Sequence, residues 1–289
     1  MGLGRWGAGM TLHHSQEKIR RLFELIEPIA TVSFSEPVDR AFREVGMRNF
    51  WDGYFAGRAA PLGTASAAVV HAAFYNFGAG EVARHIPWVW SRITPEDAIV
   101  LRERASADTL RAKLGADLAD DPALARIADL ATRAAISAPV EGRVLYAGLR
   151  EIAVPDEPVA RLWHATTLLR EHRGESHIAV LMAHDIGGIE CHALLATTFG
   201  LTLQTFGRTH HLPQDRLARV SSGLVERGLL DGEGALTEAG CELRQAVEDL
   251  TDTLATAPYA ALSADELDEL ITGLGPVFDA AYEYVPPDA

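Results

Sequence analysis

The chain echoes itself. Ser35-Glu36-Pro37-Val38-Asp39-Arg40-Ala41-Phe42 returns as Asp156-Glu157-Pro158-Val159-Ala160-Arg161-Leu162-Trp163, with Glu-Pro-Val-x-Arg common to both. At the same separation Gly53 falls on Gly174 and His71 on His192, and with a slip of two residues Leu124 to Pro139 falls on Leu243 to Pro258. A repeat of roughly 120 residues is far longer than solenoid periods and implies two domains of one fold in tandem. The implied division is 15–139, a connector over 140–155, and 156–284. The halves differ in histidine, since seven of eleven lie between His164 and His211. Any site is therefore expected to be one-sided.

Composition narrows the function classes. At 289 residues the chain holds two ordinary cores. No apolar run approaches the eighteen or so residues of a membrane span, and the first ten residues lack an apolar secretory segment, so a cytoplasmic protein without membrane partners is expected. Cys191 and Cys241 form no metal or disulfide pattern and are expected to be buried small apolar residues. The net charge of −14 disfavours nucleic acid as a partner, because DNA affinity is drawn largely from Lys and Arg on phosphates.

Hydrophobic periodicity predicts helix after helix. Helices are expected from Ser15, over Glu36–Phe55, from Ser66, over Gly80–Trp90, from Pro95 and over Ala123–Ser137. Arg58 to Gly63 reads as a break. In the second half, Pro158–His172 is expected to stop at Gly174, with further helices from Ser176, Ile189, Pro213, Glu238 and Ala264 and a frayed tail at Pro286-Pro287.

The segment DRLARVSSGLVERGLLDGEGALTEAGCELRQAV, from Asp215 to Val247, holds an amphipathic helix, a glycine stop, a hairpin with Asp-Gly and Glu-Gly turns, and a helix begun at Thr237. It resembles the recognition helix, wing and following helix of MarR-type winged helix-turn-helix proteins, which act as symmetric dimers. The resemblance implies an all-α fold with a small β wing, duplicated in one chain as an intramolecular pseudo-dimer. Arg216, Arg219, Ser222 and Arg227 would then meet DNA. Against that, residues 208–252 carry five arginines, no lysine and nine acids, a net of −4, and Pro95–Leu118 has no matching wing.

The densest polar chemistry is His164-Ala165-Thr166-Thr167-Leu168-Leu169-Arg170-Glu171-His172-Arg173-Gly174-Glu175-Ser176-His177. His172 and His177 are candidate acid-base groups, because imidazole titrates near neutrality, and Glu171 is the candidate carboxylate that orients one of them. A turn at Gly174 would fold His177 back toward them. His164, Arg173, His184 and His192 are candidate ligand contacts, joined from the first half by Arg58, Tyr75, Asn76 and Trp88 as an anion clamp and pocket wall. No histidine pair has HExxH spacing, so no metal ligand is named. His13-His14 and His210-His211 read as surface or capping residues.

Arg58 to Gly63, Phe74 to Phe77, Leu169 to Gly174 with His177, and Gly228 to Gly240 together resemble the SalK-like, MarR-related proteins of actinobacteria over nearly the whole chain. That resemblance suggests specialised metabolism and a small-molecule ligand. The leading expectation is an enzyme of acid-base chemistry (lyase, cyclase or hydrolase-like) on a regulator scaffold, as a monomeric pseudo-dimer or homodimer. The alternatives are a ligand-responsive regulator and a haem or metal protein with a histidine ligand. The sequence requires no cofactor.

Overall fold

The computed structural model describes residues 14–283; His13, the Pro286-Pro287 tail and position 284 lie outside them. The described residues are mostly helical. The wing reduces to a single antiparallel bridge, Leu230 to Leu236, where a small β element was expected. The turn that closes it is held by the Asp231 carboxylate, which accepts from the Glu233 and Ala235 amides, so the bend needs no longer ladder.

Helix α1 (Gln16–Thr31) is capped by the Ser15 side chain and runs beyond Ile26. The expected Glu36–Phe55 helix is two, α2 (Glu36–Glu44) and α3 (Phe50–Ala59). Gly46, at φ 96°, turns the chain between them, and the Asn49 side chain caps α3. Arg58 consequently sits in the last turn of α3 rather than in a break. After α4 (Ala67–Phe74) the expected helix over Gly80–Trp90 appears only as short 3-10 turns, because Pro87 removes an amide from the ladder. Helices α5 (Pro95–Ala119) and α6 (Pro122–Ala135) follow, and the connector over 140–155 is ordered around α7 (Val144–Arg150).

The largest difference lies in α8 (Pro158–Ala183), which continues through Gly174 without interruption. Glycine in mid-helix costs only about 1 kcal/mol relative to alanine, and burial on both sides of it outweighs that. Helices α9 (Gly188–Ala196), α10 (Gln214–Glu226), α11 (Glu238–Leu254) and α12 (Ala264–Ala281) complete the chain. Thr237 caps α11 through the Gly240 amide, and Cys241 on that helix is exposed rather than buried.

The apolar core does not divide at 140–155. A main core joins α1 to α6, Leu145, Leu149, the first part of α8 and α12. A smaller second core joins Val180 and Leu181 of α8 with α9, α10, Leu229, Leu230 and Val247. Helix α8 therefore belongs to both, packing against α1, α5, α6, α7 and α11.

Candidate functional site

A helix buried on every side must take its polar residues inside with it, and each then needs a partner. In α8 the ionisable ones are His164, Glu171, His172, Arg173 and Glu175, and Thr166, Thr167 and Ser176 are buried beside them, all below one-tenth exposed. At 100° per residue they leave the helix in different directions.

Glu171 faces α3 and α1. Arg58 donates Nε and Nη2 to its two carboxylate oxygens at 3.2 and 2.9 Å, and Nη1 to the Tyr54 hydroxyl at 2.8 Å. Arg170 forks onto Glu27 at 2.9 and 3.0 Å and also reaches Glu171 at 2.9 Å. Burial alone would raise the Glu171 carboxyl, but Arg58 and Arg170 hold it at about 2. Arg58 further stacks on Phe74, with its Cζ 4.2 Å from the ring centroid.

Beside this pair lies Arg102 of α5, 6 % exposed. Among the described residues its hydrogen-bond partner is the Ser33 hydroxyl, at 3.3 Å from Nη2, and its Cζ stands 5.3 Å from the Trp163 ring. Burial pushes this guanidinium down to about 10, with Glu171 and Tyr54 pulling upward and Arg58 and Arg170 downward. Gly57 accommodates it, since a Cβ there would stand 3.1 Å from Arg102 Cδ and 2.9 Å from Phe42 Cζ. Sequence reasoning passed over Arg102. Its signal was its place in the inner stripe Ala98, Leu101, Arg102, Ser106, Thr109, Leu110, where a guanidinium stands in an otherwise small or apolar row.

His172 faces α7. Its ring meets Tyr146 edge-on at 5.1 Å, neither ring nitrogen has a partner, and burial followed by the Arg143 charge pulls it down to about 3. It is a neutral imidazole at neutral pH. Next to it, Glu175 accepts the Leu145 and Tyr146 amides, both at 2.8 Å, at the N-terminal end of α7, while burial raises its carboxyl.

Arg173 and His177 face α11. Arg173 donates to Asp252 and Glu248, each at 2.9 Å from Nη2, and stacks on Phe23 at 3.8 Å. His177 Nδ1 lies 3.1 Å from the Thr251 hydroxyl, and burial lowers its pKa. The unbroken helix thus sends Glu171, His172 and His177 in three directions, and Glu171 orients arginines rather than a histidine.

The other candidates occupy separate places. His192 donates its Nε2–H to the Asn76 carbonyl, 3.0 Å away, and the Tyr75 hydroxyl donates to the Ile186 carbonyl. Gly188 permits this approach of α9 to α4, since a Cβ there would lie 2.2 Å from the Tyr75 carbonyl oxygen. Burial lowers His192 to about 4. His164, also lowered to about 4 by burial and then by Arg102, leaves Nε2 unpartnered. His184 ends α8, half-buried. Trp88 packs against the main core and carries Arg48 over its ring at 3.7 Å. Of the surface histidines, His211 Nε2 lies 2.6 Å from Glu81.

Among the described residues, no group of three His, Cys, Asp or Glu side chains is placed to hold a metal ion, and no single helix is long and apolar enough to cross a membrane. Helix α10 is anchored by the buried Leu217 and Leu224 with the half-buried Val220, and Arg219 and Ser222 are exposed on it. Arg219 pairs with Asp215 at 2.8 Å and Arg227 with Glu190 at 3.2 Å, while Arg216 leans on Gly78.

Residues 19–285 match a helix-turn-helix family. The chain belongs to that family. No curated protein and no solved structure matches it. Within this helix-turn-helix chain, α9 and α10 are successive helices that pack together over the second core.

Proposed function

We propose that this is a small-molecule-responsive helix-turn-helix protein, in which a ligand held in the main core biases how α9 and α10 meet duplex DNA. The observation that carries this reading is the continuity of α8: Glu171 lies in the buried arginine centre and Val180 in the second core, on one unbroken helix. Nine residues of helix separate them by about 13 Å. A shift of α8 on ligand binding would be delivered to the second core, on which α10 packs. Family membership favours the DNA partner. The finer likeness, to SalK-like MarR-related proteins, and the tandem pseudo-dimer belong to the same proposal. They are supported by parallel element order, with α4, α5 and α6 recurring as α9, α10 and α11.

Duplex binding is expected to be weak, because Arg219 and Arg227 are already paired with acids. Fluorescence anisotropy with genomic duplex fragments tests it. The expected result is binding at low salt, with log affinity falling against log salt by a slope no steeper than about −3. The double change Arg216→Ala with Arg219→Ala should flatten that slope by about 2. Absence of binding at low salt would overturn the reading.

An acid-base enzyme is the second reading, and His172 favours it: a neutral imidazole, 1 % exposed, with both nitrogens unpartnered. Conversion of a bound ligand, followed by native mass spectrometry and abolished by His172→Asn, would promote this reading over the first.

A further inference from the structure

We propose that Arg102, flanked by Arg58 and Arg170, forms a buried binding site for the carboxylate of a small organic acid. This deepens the preceding reading by naming the ligand's chemical class, and it rests on that reading only for its consequence at α10.

Direct contacts leave one cation of the centre over. Three guanidiniums, those of Arg58, Arg102 and Arg170, stand against two carboxylates in contact, Glu27 and Glu171, while the buried carboxyl of Glu175 acts on Arg58 from farther off and accepts the Leu145 and Tyr146 amides. Both carboxylates are engaged by forked bonds: Glu171 by Arg58, Glu27 by Arg170. Arg102 is left with a neutral hydroxyl, Ser33, which itself donates to the Ala30 carbonyl at 3.0 Å. Ser33 lies two residues beyond the end of α1, whose carbonyl end contributes at most about half a negative charge. Arg102 is thus held inside the protein with no carboxylate in contact among the described residues. Buried charges are ordinarily paired, because desolvation of an isolated one is costly.

Hydrogen-bond donors without acceptors stand in the same place. Trp163 Nε1 and His164 Nε2 are buried and unpartnered, the Trp163 ring lies against Arg102, and the Arg102 charge acts on His164. In its Nε2–H tautomer His164 is, like the Trp163 indole, a buried donor without an acceptor. What the place lacks is an acceptor bearing one negative charge. A carboxylate supplies one charge and a planar pair of oxygens that fits a guanidinium fork, whereas a phosphate dianion would overshoot the imbalance. The Trp163 ring supplies an apolar wall, so the acid's remainder is expected to be flat or hydrocarbon.

Benzoate is the probe, with neutral benzamide and inorganic phosphate as controls, titrated by calorimetry and by thermal melting in the full chain without DNA. Benzoate should bind and raise the melting temperature with concentration, and benzamide should do neither. Arg102→Met removes the unpaired charge and keeps the side-chain volume. It should melt no lower than wild type while losing at least tenfold in benzoate affinity. Arg102→Lys keeps the charge without the fork, and should fold while binding benzoate more weakly than wild type. The proposal is overturned if wild type does not bind benzoate, if Arg102→Met and Arg102→Lys both bind it as wild type does, or if phosphate binds at least as tightly as benzoate. Because no DNA is present, failure of the duplex reading leaves this result standing, and the reverse holds equally.

Discussion

Two charge networks flank α8, built from the same residue types and poised oppositely. Toward α3 and α5, three arginines face Glu27 and Glu171, and the surplus is a cation 6 % exposed. Toward α11, Arg173 and Arg20 face Asp252, Glu248 and Asp249, and the surplus is acidic, with Glu248 and Asp249 partly in solvent. Surplus charge at the surface is screened by water, whereas surplus charge in the interior asks for a partner. The first network has the character of a site, the second that of a strut between α1, α8 and α11.

The sharpest way to break this comparison is Glu171→Gln, which leaves Arg58 without its counter-charge. It should cost about 3–5 kcal/mol in urea unfolding. Asp252→Asn acts on the strut, where Glu248 still holds Arg173, and should cost about 2 kcal/mol. If Asp252→Asn proved the costlier of the two, the roles assigned to the networks would be reversed.

A pH titration sharpens the contrast next. His164, His172 and His192 are held at about 4, 3 and 4 in the fold, below the ordinary 6.5, so the unfolded chain binds more protons in between. Stability should therefore be fully present above pH 6.5 and fall as pH drops toward 4, by about 1 kcal/mol or more per histidine. Replacing His172 with Asn should flatten that slope in melting-temperature measurements. Glu171 adds its own loss only at lower pH, between 4.5 and about 2.

Gly57→Ala presses a methyl against Phe42 and Arg102, and should cost about 1–2 kcal/mol while weakening benzoate binding, a result a merely crowded helix contact would not give. The smallest effect belongs to Arg219→Ala on α10, an exposed pair, with stability changed by less than about 0.5 kcal/mol. Its consequence should appear in duplex anisotropy alone.

Much of the helical framework was legible before any coordinates. Ser15, Ser66 and Thr237 cap helices where their side chains predict, and Pro95 opens α5 at the expected residue. These are local signals, decided within one turn of chain. The site was less legible. Arg58 and Glu171 were singled out separately, yet their contact joins residues 113 positions apart, and nothing in the spacing announces it. Gly174 was misleading, because a glycine in a helix pattern reads as a stop unless burial on both sides of it is known.

By itself, then, the sequence determined the helical class, most helix starts with their caps, and the concentration of histidine in one half, since these follow from periodicity, local capping and composition. Tertiary structure alone decided that α8 is unbroken and buried on most sides from Val159 to Ser176, that His172 is a neutral group without partners, and that Arg102 stands in the interior with no carboxylate in contact. The reason is that burial and charge balance belong to neighbours brought together by folding, and a residue's value there is fixed by what surrounds it in space.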